Sequence, residues 1–453
     1  MLTYMLYKNS KTPLYMQLYK NVKNDILNGV IKDKLPSKRS LAHHLNLSVI
    51  TVENAYNQLI MEGFIYSIPK KGYYANKGIK KQITKPLKAQ NLDKNSNKNF
   101  KKNLINLSFS RNNEPFFPLS TWKKLLREVL SKNSDEICEK VPFNGTLKLR
   151  LAIKKHLYEY HNLICDENNI IIGAGSQHLY TLISQLLDKD LIYALENPSD
   201  TKIGKIYKSL GVKCEFVDID KSGMSYEKLL KSSASIVHIS PSSHFPTGIL
   251  MKAKRRSELL KWASLEENRY IIEDEYMGEI RQKIVPTLKS LNHEKVIFLN
   301  TFSKTLLPTL RVSYMVLPSN LTLRFKNNLS FYSSAVPIFE QLTLAKFIND
   351  GYFERFLNKL KRQNLVKKEG FLNKFKELNI NNSDVNFNET HTFIKSNLTD
   401  NEVKQLAFKN GFFINTMSDF YYKNAPKNSS FLIDFNCDLK DVKKILNIFN
   451  KNI

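Results

Sequence analysis

Residues 301–317 read Thr-Phe-Ser-Lys-Thr-Leu-Leu-Pro-Thr-Leu-Arg-Val-Ser-Tyr-Met-Val-Leu. Lys304 stands between two hydroxyls, Ser303 and Thr305, and Arg311 follows. Upstream, Val296-Ile297-Phe298-Leu299 has the apolar run of a short buried strand. Downstream, Val312 to Leu317 has another, closed by Pro318. The pattern predicts a lysine on a loop between two buried strands. An amine so placed can form an imine with a carbonyl. A guanidinium fork with neighbouring hydroxyls suits phosphate oxygens. Lys304 can equally be an ordinary loop lysine in a chain of 453 residues with a formal net charge of +27.

Around this stretch, short apolar strands alternate with helices. Trp122–Leu130 and Leu147–Tyr160 have helical spacing. Ile170-Ile171-Ile172 runs into Gly173-Ala174-Gly175-Ser176-Gln177, and Leu179–Leu187 continues as a helix. Glycines at such a turn open backbone donors and a helix N-terminus to an anion. Further strands are expected at Leu191–Ala194, Cys214–Val217 and Ile236–Ile239. Arg269–Tyr276 is a strand ending in three acids, Glu273, Asp274 and Glu275. A carboxylate at that edge suits a cationic partner, a metal or a structural ion pair. Beyond Gln341, long helices around Phe347–Leu365 precede strands near Asn386–Lys395 and Phe431–Phe435. The alternation indicates an α/β unit with a mostly parallel sheet, whose ligands gather at the carboxyl ends of the strands.

Residues 1–76 follow another pattern. Leu14, Leu18, Val22 and Ile26 form one apolar stripe, ended by Gly29. Ser37 is placed to cap a short helix that faces inward with Leu41 and Leu45. Ser48 is placed to cap a second, with Val52, Tyr56, Leu59 and Ile60 inside and Thr51, Asn54, Asn57 and Gln58 outside. Gly63 ends it, and Phe64–Tyr74 has the length of a small hairpin turning at Lys70-Lys71-Gly72. Three short helices and a hairpin make a winged helix-turn-helix, with a small protein-binding domain as the alternative. Residues 77–105 carry nine lysines against one aspartate, a net of +8, and read as a flexible tether that could also hold nonspecific DNA. The cysteines Cys138, Cys165, Cys214 and Cys437 show no metal-like or disulfide-like spacing. Without an apolar run of membrane-spanning length, a cytoplasmic protein that does not enter a membrane is expected.

Residues 11–75, with Leu-Pro-Ser-x-Arg-x-Leu-Ala at Leu35–Ala42, resemble the GntR-type winged helix domain. The segment around Lys304 resembles the pyridoxal-phosphate lysine motif of fold-type I aminotransferases, in the form found in the MocR group of bacterial regulators, which join the two modules. The resemblance implies a winged helix-turn-helix over 1–76, a basic linker over 77–105, and an aminotransferase-like effector and dimerisation domain over 106–453, with large and small subdomains. It implies DNA contacts from Ser37, Lys38, Arg39, Ser48, Thr51, Asn54, Lys71 and Gly72. For pyridoxal phosphate it implies Lys304 as the Schiff-base lysine and Ser176, Gln177, Ser303 and Arg311 toward phosphate and ring. Asp274 would meet the protonated pyridine nitrogen and Tyr276 the phenolic oxygen. It also implies a homodimer on a double-stranded DNA operator.

Four departures bear on function. Val49 follows Ser48 where the family commonly has arginine. In Glu196-Asn197-Pro198-Ser199-Asp200, an aspartate occupies the place of a ring-stacking aromatic. Leu432, in Phe431–Phe435, stands where an arginine clamps a substrate carboxylate, and residues 424–436 contain no arginine. The tyrosine expected before Pro142 has no counterpart, Lys140 being the nearest polar residue. Efficient transamination needs the amino acid held in place, so the departures favour a sensor of pyridoxal phosphate itself or of a small amine or amino compound. A divergent aminotransferase, or a regulator whose large domain has lost the cofactor and only dimerises, are the alternatives.

Overall fold

The computed structural model describes residues 2–8, 10, 12–76, 104–108, 117–132, 134–275, 277–281, 285–377, 385–388, 391–426 and 429–449. The chain divides into two compact units, Met1–Asn99 and Phe100–Ile453. Most of the segment read as a linker lies outside the described residues. Its last residue, Ile105, sits in a strand of the second unit.

The first unit holds helix α1 (Leu14–Leu27), strand β1 (Lys34–Leu35), α2 (Lys38–His44), α3 (Val49–Met61) and the hairpin β2 (Ile65–Ile68) and β3 (Gly72–Ala75). The three strands form one antiparallel sheet in the order β1-β3-β2. Both expected caps are present: Ser37 Oγ accepts from Ser40 N at 3.2 Å, and Ser48 Oγ accepts from Thr51 N at 3.0 Å. The core is Leu18, Val22, Leu41, Val52, Ala55, Tyr56 and Leu59. Leu45 and Ile60, expected inside, are half-buried at its margin.

The second unit is built on an eight-stranded sheet of β5 (Ile170–Gly173), β6 (Ile192–Asn197), β7 (Lys213–Asp220), β8 (Gly223–Met224), β9 (Ile236–Ile239), β10 (Tyr270–Glu275), β11 (Val296–Thr301) and β12 (Ser313–Val316). Its order is β5-β12-β11-β10-β9-β6-β7-β8. β7, β6, β9, β10 and β11 run parallel, while β12 is antiparallel to both β11 and β5. Helices cover both faces, so alternate residues of one strand enter different cores. Tyr314 and Val316 of β12 pack with Phe298 and Phe302 on one side, and Met315 and Leu317 pack with Ile297 and Leu299 on the other. This is why the strands read as continuous apolar runs rather than alternating ones.

A separate core joins β4 (Ile105–Asn106), β13 (Val385–Phe387), β14 (His391–Ser396), β15 (Phe412–Phe413) and β16 (Ser429–Asp434) to the helices Tyr352–Glu377 and Leu439–Phe449. β13, β14 and β16 form an antiparallel sheet, and β4 pairs with β15. No helix among the described residues is long and apolar enough to cross a membrane.

One buried group is expected to add to the acid sensitivity of the large unit. His161 lies against Tyr160 and Phe298, and neither ring nitrogen has a hydrogen-bond partner among the described residues. Burial pushes its pKa down to about 4, against the pull of the Glu279 carboxylate. Because the folded value lies below the unfolded one, the stabilising contribution is complete above the unfolded pKa and is lost as pH falls through the folded one. This ring alone is expected to cost on the order of 3 kcal/mol on acidification. His161→Phe should remove most of that loss, as measured by urea unfolding of both proteins at neutral and acidic pH. Equal losses in the two proteins would rule the ring out.

Candidate functional site

The parallel strands end at one edge of the sheet, and β12 begins there, with Ser313 opposite both Thr301 and Gly173. A cavity of about 230 Å³ opens at this edge. It is lined by Ser176 and Gln177 from the helix Ser176–Leu186, Asp274 from β10, and Ser303, Lys304 and Arg311 from the stretch between β11 and β12. Six of the seven residues proposed from sequence for the cofactor therefore share one cavity. The seventh, Tyr276, lies outside the described residues.

Lys304 does not sit on an open loop. Phe302–Thr305 form a single helical turn, capped by Thr301 Oγ1, which accepts from Ser303 N at 3.2 Å. Phe302 is buried against Tyr314 and Phe353 and anchors the turn. Ser303 and Lys304 are thereby presented to the cavity. Ser303 Oγ is buried without a hydrogen-bond partner among the described residues, a group open to an acceptor or donor supplied by a ligand.

Gly175 precedes the first turn of its helix with φ +87°. A Cβ on it would lie 2.2 Å from Arg311 Nη2, so the guanidinium rests where only glycine leaves room. Arg311 is itself left-handed at φ +53°, and its Nη2 donates to Ala174 O at 3.4 Å. A helix N-terminus, a guanidinium and two serine hydroxyls lining one cavity are groups that could hold a phosphate.

Asp274 lines the same cavity and is buried. Its Oδ2 accepts from Tyr180 OH at 2.5 Å and lies 3.4 Å from His238 Nε2, whose Nδ1 is 3.0 Å from Tyr207 OH. Burial, then the Asp274 charge, keeps the Tyr180 phenol well above its ordinary pKa, so it remains a donor. These two orienting residues were missed from sequence. Tyr180 was within reach, since it lies four residues after Ser176 on the same helix face. His238 carried no local sign beyond a polar residue in a buried strand.

The departures have structural counterparts. Asp200 caps the helix Thr201–Ser209, its Oδ1 accepting from Lys202 N at 3.0 Å, and the rings lining the cavity are those of Tyr180, His238 and Phe245. Leu432 is 1% exposed in an apolar cluster with Phe393 and Phe420, against which Phe245 and Met417 pack. Phe245 belongs to a segment pinned from β14. Pro246 O lies 2.6 Å from His391 Nε2 and accepts from Asn388 Nδ2 at 3.2 Å, while Gly248, at φ +69°, has no room for a Cβ beside Asn388. No group of three residues suited to a metal ion occurs among the described residues.

In the first unit, Ser48, Asn54, Lys71, Ser37 and Arg39 are exposed, and Thr51 and Gly72 are half-buried. Lys38, proposed for DNA contact, pairs with Glu53 and so ties α2 to α3. Thr51 Oγ1 lies 2.7 Å from Ser48 Oγ, within the cap.

The family model of the bacterial regulatory proteins, gntR family, matches residues 14–74. The HTH-type transcriptional regulator YdeL of Bacillus subtilis is 34% identical over 372 residues, covering 80% of this chain and 79% of that protein. The probable rhizopine catabolism regulatory protein MocR of Rhizobium meliloti is 24% identical over 466 residues, covering 98% and 94%. Among solved structures, kynurenine aminotransferase of Pyrococcus horikoshii matches with a TM-score of 0.67 at 22% identity, over 78% of this chain and 92% of that one. At that identity the likeness establishes the fold.

Proposed function

The chain belongs to the MocR-type transcription regulators, a GntR helix-turn-helix joined to an aminotransferase-like domain, and from that premise we propose that it senses pyridoxal phosphate in the cavity at Lys304. The observation that carries this reading is the convergence of Lys304, Asp274, Arg311 and the Ser303 hydroxyl, which has no partner among the described residues, on one cavity. When bound, pyridoxal phosphate supplies an aldehyde for an amine and a ring that draws electrons when its nitrogen is protonated.

The chain's own residues divide the work of holding it. Lys304 provides the amine. Arg311, Ser176, Gln177 and Ser303 would hold the phosphate and the adjacent side of the ring. Asp274, oriented by Tyr180 and His238, would keep the ring nitrogen protonated. Nothing at Leu432 grips an α-carboxylate, and its apolar neighbours exclude one. This favours sensing over turnover, with pyridoxal phosphate or a small amine or amino compound as effector. The regulator acts as a homodimer that presents two winged domains to a double-stranded operator. A ligand alters DNA binding only by its differential affinity for two conformations.

The test is the affinity of the full-length chain for duplexes from its gene's own upstream region, with and without pyridoxal phosphate. At least about a fivefold change is expected. Identical affinities at saturating ligand would end the sensing reading. Raised salt separates specific recognition from nonspecific charge binding, since the latter fades steeply.

A further inference from the structure

Helix α3 turns two branched apolar side chains outward at the end where a recognition helix meets base edges. Val49 is 42% exposed and Ile50 is 69% exposed. Neither belongs to the domain's core, which α3 serves with Val52, Ala55, Tyr56 and Leu59. The hydroxyls beside them are engaged with each other in the helix cap. Glu53 is paired with Lys38, and the next exposed polar residue along the helix is Asn54, more than a turn further on. The setting is that of a polyanion-binding surface: residues 1–76 carry ten Lys and Arg against four Asp and Glu, a net of +6. Arg39 stands exposed on α2.

We propose that Val49 and Ile50 read thymine, through its C5 methyl group in the major groove, and that each operator half-site carries thymine beneath the N-terminus of α3. Among the four bases only thymine presents a methyl in that groove, and apolar side chains are its natural partners. An arginine in place of Val49 would instead address guanine O6 and N7 with two donors. A valine there can do neither, and a β-branched side chain, stiff about χ1, loses little entropy when it is covered. The apolar pair therefore exchanges guanine reading for thymine reading. The inference rests on the DNA-binding role of α3 and is independent of any ligand in the large unit.

The test begins with the full-length chain selecting duplexes from a random pool. Each thymine of the selected sequence is then replaced in turn by deoxyuridine, which keeps every hydrogen-bonding group and lacks only the methyl. At one or more positions per half-site, affinity is expected to fall about fourfold per methyl lost. In the double variant Val49→Ser, Ile50→Ser the thymine and deoxyuridine duplexes should bind alike. Both positions are exposed, so the variant should keep its fold, and its circular dichroism and melting checked beside the wild type confirm that. A preferred sequence whose deoxyuridine forms all bind as tightly as the thymine form overturns the proposal alone. Selection of no preferred sequence overturns it together with base reading by α3.

Discussion

Lys304→Ala is expected to abolish the violet-region absorption band that the wild-type chain acquires with pyridoxal phosphate. The reason lies in where the amine is held. The turn Phe302–Thr305 is anchored by buried Phe302 and capped by Thr301, so Lys304 reaches the cavity from a rigid base. Removing the amine leaves Arg311, Ser176, Ser303 and Asp274 in place, and noncovalent binding should persist. Affinity is expected to fall about a hundredfold, about 2.7 kcal/mol, and the effect of the ligand on DNA binding should vanish with it. The chain contains 57 lysines, so nonspecific reaction with surface amines is the control to run. A band of full intensity in the alanine variant would show that another lysine captures the aldehyde and would remove the proposed site.

Gly175→Ala should have the second large effect, although the residue carries no functional group. Its φ of +87° is one that L side chains rarely adopt. The added carbon would lie 2.2 Å from Arg311 Nη2 and 2.5 Å from Cζ, so the guanidinium must swing off the helix N-terminus. A charge-assisted phosphate contact would be lost while Lys304 and Asp274 stay in place. Affinity for pyridoxal phosphate is expected to fall at least about tenfold. Affinity for pyridoxal, which has no phosphate, should change little. Equal losses for the two ligands would mean that the substitution disturbs the whole site rather than that contact.

Much of this architecture is visible in local sequence because local chemistry determines it. Ser37 and Ser48 cap helices where they stand, and the apolar runs at 170–172, 236–239 and 296–299 are strands because both faces of the sheet are covered. The turn around Lys304 escaped, since a single helical turn is too short to show a period. Contacts between distant segments left no trace either. Tyr180 and His238 reach Asp274 from 94 and 36 residues away. Lys38, expected at DNA from the family motif, also pairs with Glu53 of α3, a contact the sequence did not show. Asp200 and Leu432 were recognisable as unusual, but only the fold shows one spent on a helix cap and the other sealed among phenylalanines.

The pinning of Pro246 by His391 and Asn388 has a mechanical consequence. Phe245 forms part of the cavity wall, and the peptide that follows it is fastened to the segment leading into β14. Gly248 fits against Asn388 so closely that the fastening leaves no slack. Wall and small antiparallel sheet are thus joined through Pro246. A bulkier occupant that pushes the Phe245 backbone, and not its ring alone, is expected to strain these contacts to the sheet.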